Sequence, residues 1–238
     1  MKYLLFVIIS VTIFAIPLIQ YGTVQSSKEL YHIIKKEYQK RFPKDFVANV
    51  SGNEIERSVQ KIPKDSYCKG KLPRVTYLFL KGEEESIIVE NVENPFVTRF
   101  QTHLEVYKSA KSFLDTGKSY SDLKKTYYWE FVSSLSQDFY VVKMRKHRLR
   151  ESDYLLLFFD KEEFSLVKAT QYSNKKPIGH VIITYKKEKG YLLPLQLKFD
   201  ITKKGKRKSF TLNISNYQLN TGLTSDKIIE LQDDCPSL

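Results

Sequence analysis

The residues of this chain best suited to chemistry are cations gathered around three turns: Lys143, Arg145, Lys146, Arg148 and Arg150 at the first, Lys175 and Lys176 at the second, and Lys203, Lys204, Lys206, Arg207 and Lys208 at the third. Ammonium and guanidinium groups at that density bind anions. A net charge of +12 on 238 residues draws the chain toward phospholipid headgroups, acidic glycolipid, nucleic acid or an acidic protein. A solvated turn is the plainer explanation of each segment taken singly. Residue types that do covalent or metal chemistry are sparse. The four histidines, His32, His103, His147 and His180, have no metal-ligand spacing, so no metal site is expected. Gly117-Lys118-Ser119 ends like a phosphate loop, but Ser112 stands where the first glycine belongs and the segment follows a predicted helix. No Gly-x-Ser-x-Gly elbow occurs, neither cysteine has a histidine in a catalytic setting, and the acidic pairs Glu162-Glu163 and Asp233-Asp234 lie in a turn and a tail. No catalytic residue is expected.

The elements that must hold the cations are strands. From Asp138 to Asn220 the pattern predicts six antiparallel strands, near Phe139–Arg148, Tyr154–Phe159, Phe164–Ser173, Ile178–Lys186, Tyr191–Thr202 and Arg207–Tyr217. In the fifth, Leu193, Leu195, Leu197, Phe199 and Ile201 share one face, with Gln196, Lys198, Asp200 and Thr202 on the other. In the sixth, Phe210, Leu212 and Ile214 oppose Ser209, Thr211, Asn213 and Ser215; in the fourth, Val181, Ile183 and Tyr185 oppose His180 and Thr184. A sheet with one apolar face must cover it with helices, a second sheet or a ligand. Successive turns of a meander alternate between its ends, so the turns at 149–152, 174–177 and 203–206 share one end and form one positive rim.

Met1-Lys2-Tyr3, the apolar run from Leu4 to Ile19 and polar Gln20 have the form of an export signal; an uncleaved N-terminal anchor is the other reading of residues 1–22. The remainder of the chain has no linker and no repeat, and 27–238 is expected to be one domain. Export argues against nucleic acid as a partner, and it suits a candidate disulfide between Cys68 and Cys235, the alternative being two unrelated thiols. Ser27–Arg41 predicts an amphipathic helix with Leu30, Ile33, Ile34 and Tyr38 on one face and Ser27 as its cap. Strands are expected at Phe46–Glu56, Arg74–Lys81 and Ser86–Val92. A helical period then aligns Phe100, Leu104, Tyr107 and Leu114, and a second helix, Ser121–Leu135, aligns Leu123, Tyr127, Phe131 and Leu135. A short strand at Lys227–Leu231 ends the chain. Sixteen Tyr and fifteen Phe belong mostly to the core, but a strongly curved sheet capped by helices either fills that core or leaves an apolar gap of ligand size.

Four segments carry a resemblance: Asp153-Tyr154-Leu155-Leu156-Leu157-Phe158-Phe159-Asp160, Phe164-Ser165-Leu166-Val167-Lys168, Gly190-Tyr191-Leu192-Leu193-Pro194, and Ile214-Ser215-Asn216-Tyr217-Gln218-Leu219-Asn220-Thr221-Gly222-Leu223. They are similar to the leucine-rich strand ending in Asp, the short turn and (P/L)VK strand, and the tyrosine-leucine-Pro … I-x-N-Y-x-x-N-x-G-L ending of the outer-membrane lipoprotein-sorting (LolA/LolB-like) superfamily. The similarity spans Tyr140 to Leu231, and the first half agrees in layout. The resemblance implies an α+β, β-rich fold: a strongly curved antiparallel sheet, an open half-barrel, wrapping an N-terminal helix and a two-helix insertion. It further implies a periplasmic carrier or sensor without cofactor or catalysis, whose apolar cavity takes the acyl chains of a lipid or lipoprotein. The expected lining is Val181, Ile183, Leu195, Leu197, Phe199, Phe210, Leu212 and Ile214 from the sheet, with Phe100, Leu104, Tyr107, Tyr127 and Phe131 from the helices. Arg148, Arg150, Lys175, Lys176, Lys203, Lys204, Lys206 and Arg207 would then meet anionic headgroups or a membrane surface. No single arginine matches the family's functional one. The rival expectation is an envelope interaction or stress-sensor module on the same fold, its cavity collapsed and its rim bound to an acidic envelope protein.

Overall fold

Alternating residues become strands where one face can be buried, and the computed structural model, which describes residues 24–68, 71–81, 86–92, 119–132, 135–203 and 205–232, has ten of them in one antiparallel sheet. In chain order they are β1 (Asp45–Ser51), β2 (Arg74–Leu80), β3 (Ser86–Glu90), β4 (Tyr127–Phe131), β5 (Phe139–Lys146), β6 (Tyr154–Asp160), β7 (Leu166–Ser173), β8 (Lys176–Glu188), β9 (Tyr191–Lys203) and β10 (Lys206–Leu219). Their spatial order is β3-β2-β1-β10-β9-β8-β7-β6-β5-β4. The meander from β4 to β10 lies side by side, and its last strand pairs with the first strand of the chain, Phe46 opposite Leu219 and Val50 opposite Ile214. Among the described residues β3 and β4 remain as edges, so the sheet is an open half-barrel. The predicted export segment, the predicted helix bearing Phe100, Leu104 and Tyr107, and residues Lys204 and Cys235 lie outside the described residues.

Helix α1 (Ser27–Arg41) lies against the apolar face, with Leu30, Tyr31, Ile34 and Tyr38 buried in one cluster with the sheet. Rings anchor it at both ends. Tyr31 meets Trp129 of β4 edge-on at 5.8 Å, and Phe42, just past the helix, meets Tyr185 of β8 at 6.1 Å. The cap is Ser26, one residue before the predicted one: its Oγ accepts the Glu29 amide at 3.1 Å. The hydroxyl of Ser27 instead accepts the Phe131 amide at 2.9 Å, fastening the helix start to edge strand β4.

Three predicted elements differ from those observed, each for a local reason. β1 stops at Ser51 because Gly52 takes φ +142° against the Thr211 carbonyl, and Asn53–Val59 turns into helix α2. The predicted helix Ser121–Leu135 is α3 (Tyr120–Thr126) followed by β4, so Tyr127 and Phe131 belong to a strand. Both residues satisfy a helical stripe and a period of two, and the aromatic run Tyr127-Tyr128-Trp129-Glu130-Phe131, with Trp129 buried between exposed Tyr128 and Glu130, settles for the strand. The expected last strand is helix α4 (Ser225–Gln232), which Thr224 caps by accepting the Lys227 amide at 3.3 Å. With Leu223, α4 brings Ile228 onto Leu78, Leu80 and Ile88, covering the outer face of β2 and β3.

Candidate ligand face and basic rim

The register across the meander sorts the apolar face into rows. One row runs Leu157, Ala169, Val181, Phe199, Phe210 from β6 to β10, and a second takes Ile183, Leu197 and Leu212 from β8 to β10. Val181, Ile183, Leu197, Phe199, Leu212 and Ile214 are buried in the cluster that includes α1. Phe210, stacked on Phe199 at 4.8 Å, is half-buried. One step further toward the basic turns, the row Leu155, Gln171, Gly179, Ile201 is half-exposed at all three of its side chains, with Gly179 itself buried between Gln171 and Ile201. The apolar face is thus sealed in the middle and opens toward one end. Leu195 does not line it. Thr184 pairs with Gln196 and Tyr185 with Pro194, so Leu195 is the extra residue of a bulge, 42 % exposed, while Pro194 turns inward.

The basic turns share the open end, as the meander requires. The β5–β6 and β7–β8 turns touch: the Lys175 amide donates to the Ser152 carbonyl at 3.0 Å and the Asn174 amide to Asp153 Oδ1 at 2.9 Å. Arg148, Arg150, Lys175, Lys176 and Lys206 are exposed there. Arg207 is less available than its position suggests, because its Nε lies 2.8 Å from both oxygens of Asp200 and its guanidinium holds that carboxyl below the usual range. Lys208 pairs with Glu54 of α2.

At the opposite end, sequence reasoning missed a cleft between the end of α1 and the sheet. Tyr38, Phe42, Phe164, Leu166, Tyr185 and Leu192 form its apolar walls, and Glu37, Arg41, Glu163 and Ser165 complete it. Arg41 Nε meets buried Glu37 at 2.7 Å and the same guanidinium pairs with Glu163, which also takes Lys187 at 2.5 Å. Only the Glu37-to-Arg41 spacing was visible in the sequence, since Glu163 and Lys187 arrive from separate strand ends.

The motif segments meet at structural joints. Tyr217 donates its hydroxyl to the Pro194 carbonyl and packs on Phe46 at 5.1 Å. Asn216, Asn220 and Gly222 all take positive φ, which those residue types tolerate. Asp160 Oδ1 accepts the amides of Glu162 and Glu163 at 2.9 and 2.7 Å, forming the turn after β6.

An open antiparallel half-barrel carrying a helix across its apolar face defines a fold class, α+β with a β-rich sheet. No family model and no curated protein matches this chain. Among solved structures it is similar to a putative outer membrane lipoprotein-sorting protein domain from Vibrio parahaemolyticus, at TM-score 0.50 and 14% identity over 87% of this chain and 98% of that one. A LolA superfamily protein from Nitrosomonas europaea (TM-score 0.49, 16% identity, 86% and 97% covered) and a DUF1329 family protein from Desulfovibrio piger (TM-score 0.49, 15% identity, 87% and 100% covered) are also similar. At these identities the likeness is one of fold, and the resemblance carried by the sequence motifs holds at that level.

Proposed function

We propose that the chain is a periplasmic carrier of lipid or lipoprotein, exported by its N-terminal segment, which takes acyl chains between the apolar sheet face and its helices. The observation that carries this reading is the half-exposed row of Leu155 and Ile201, with Phe210 beside it, at the end of the face where the basic turns gather. An acyl chain laid there gains about 0.8 kcal/mol per buried CH₂, while a phosphate at its head meets Arg148, Arg150, Lys175 and Lys176. Binding needs neither cofactor nor catalysis. Tyr127, on the strand beside α3, and Phe131 remain lining residues of this reading, as do Phe100, Leu104 and Tyr107.

A collapsed-core interaction or stress-sensor module, its rim bound to an acidic partner, is the second reading. It is favoured by the complete burial of Val181, Leu197 and Phe199. Native mass spectrometry with organic extraction of the protein purified gently from a two-membrane host separates the two. A bound species of lipid mass is expected, diminished by Ile201→Glu at unchanged melting temperature. Protein at its bare sequence mass, with near-native stability, favours the module instead.

A further inference from the structure

The outer face of the sheet, away from α1, is not uniformly polar. On β4 to β7 the register places Tyr128 beside Arg145, Lys143 beside Leu156, Tyr154 beside Tyr172, and Phe158 beside Lys168. The cations lie over the rings. The Arg145 guanidinium is 4.1 Å from the Tyr128 centroid, Lys143 Nζ is 4.9 Å from that of Tyr154, and Lys168 Nζ is 5.1 Å from that of Phe158. Tyr154 stacks on Tyr172 at 4.7 Å, and His147 meets Tyr128 edge-on at 4.1 Å. Tyr128 is 51 % exposed, and Leu156, Phe158, Tyr154 and Tyr172 are half-exposed. The patch is continuous with the turns bearing Arg148, Arg150, Lys175 and Lys176, because β4 to β7 lead into them.

We propose that this outer face of β4 to β7 is a docking surface for an anionic phospholipid bilayer, with Tyr128, Tyr154 and Tyr172 at headgroup depth and Lys143, Lys168 and the turn cations on lipid phosphates. The proposal rests on the carrier reading, which requires the open end of the apolar face to approach a membrane. Rings with polar tips beside long-stemmed cations are the side-chain mixture that bilayer interfaces favour. The charge is complementary: cations outnumber carboxylates across the patch and its turns, and Asp153 already accepts the Asn174 amide. On this sheet surface Lys143, Lys168, Lys175 and Lys176 supply point charges suited to many phosphates. Arg145, by contrast, has one fork nitrogen on the Leu149 carbonyl at 2.7 Å and its plane on Tyr128.

The test is flotation of the full chain, purified after export, on vesicles of phosphatidylcholine alone and of phosphatidylcholine with phosphatidylglycerol. Binding is expected only to the anionic vesicles and is expected to weaken in high salt. Tyr128→Ser with Tyr172→Ser, and separately Lys143→Glu with Lys168→Glu, should each weaken it about tenfold without lowering the melting temperature or the lipid mass found in native spectra. Variants that float like the parent, or binding that ignores phosphatidylglycerol, overturn the docking surface while leaving the carrier reading intact. Patch-dependent flotation of a chain that never carries lipid retains the surface and removes the carrier. Should the variants lose an acidic protein partner but keep the vesicles, the patch is a protein interface and the proposal fails.

Discussion

At the scale of single residues, the groups that made the sequence look familiar are joints. Asp45, buried at the start of β1, accepts the Thr221 amide and hydroxyl at 2.6 and 2.8 Å, while its own carbonyl takes the Asn220 amide at 2.9 Å. These bonds close the seam between the first strand and the last. Replacing Asp45 by Ala strips the acceptor from two donors in a part-buried site and is expected to cost about 2–3 kcal/mol in urea unfolding, with Asp45→Asn losing less because one acceptor oxygen remains. Asp200 makes a different kind of prediction. The Arg207 guanidinium lowers its pKa in the folded state, so the pair contributes stability above the ordinary carboxylate range and loses it as pH falls through the lower folded value. The melting temperature of the parent should therefore fall more steeply than that of Asp200→Asn below about pH 4. Equal slopes would show that the pair is not formed in solution.

At the scale of elements, what the sequence discloses depends on whether one period stands alone. The bounds of α1 are legible because its apolar positions repeat at helical spacing and Phe42-Pro43 ends it; of the six strands β5 to β10, the last three are the most legible because they run to thirteen or fourteen residues. Failure comes where two periods share residues, as at Tyr127 and Phe131, or where one residue resets the phase. Leu195 is such a residue: the alternation passes through it unbroken, yet the bulge turns it outward. Leu195→Gln should accordingly change stability by less than about 0.5 kcal/mol, whereas Leu197→Ala, two positions on and fully buried, should cost about 3 kcal/mol. A charged residue at 197 would lose the fold and report nothing about lipid. Gly52 gives the same lesson at a strand end. A Cβ there would stand 2.2 Å from the Thr211 carbonyl oxygen at a φ that side chains rarely adopt, so Gly52→Ala should lower stability by about 2 kcal/mol or more, read from its melting curve. The cleft residue Glu163 and its partner Lys187 were illegible because only the fold brings Glu163 to Arg41 and Lys187 to Glu163.

At the scale of the whole molecule, the weak point of an open half-barrel is its unpaired edges, and the edge at β3 is protected from outside. α4 covers the outer face of β2 and β3 through Ile228, and the stretch before β2 crosses the end of β3, Cys68 donating its amide to the Asn91 carbonyl at 3.0 Å. Cys68 is buried and disulfide-bonded. Cys235 follows the last residue of α4 by three positions, at most about 10 Å of chain, and we propose it as the partner. A bridge between them would fasten α4 to the edge it covers and close most of the chain into one loop, a constraint worth roughly 2–4 kcal/mol. Reduction should then lower the melting temperature by about 5–15 °C and raise hydrogen exchange in α4, β2 and β3 before the meander responds, since β5 to β10 hold together through their own ladders. A Cys68–Cys235 peptide in a non-reducing digest is the accompanying expectation. If that peptide is missing and reduction leaves the edge protected, the apolar contacts of Leu223 and Ile228 alone hold α4 in place, and the N-terminal strands owe their stability to the seam at Asp45.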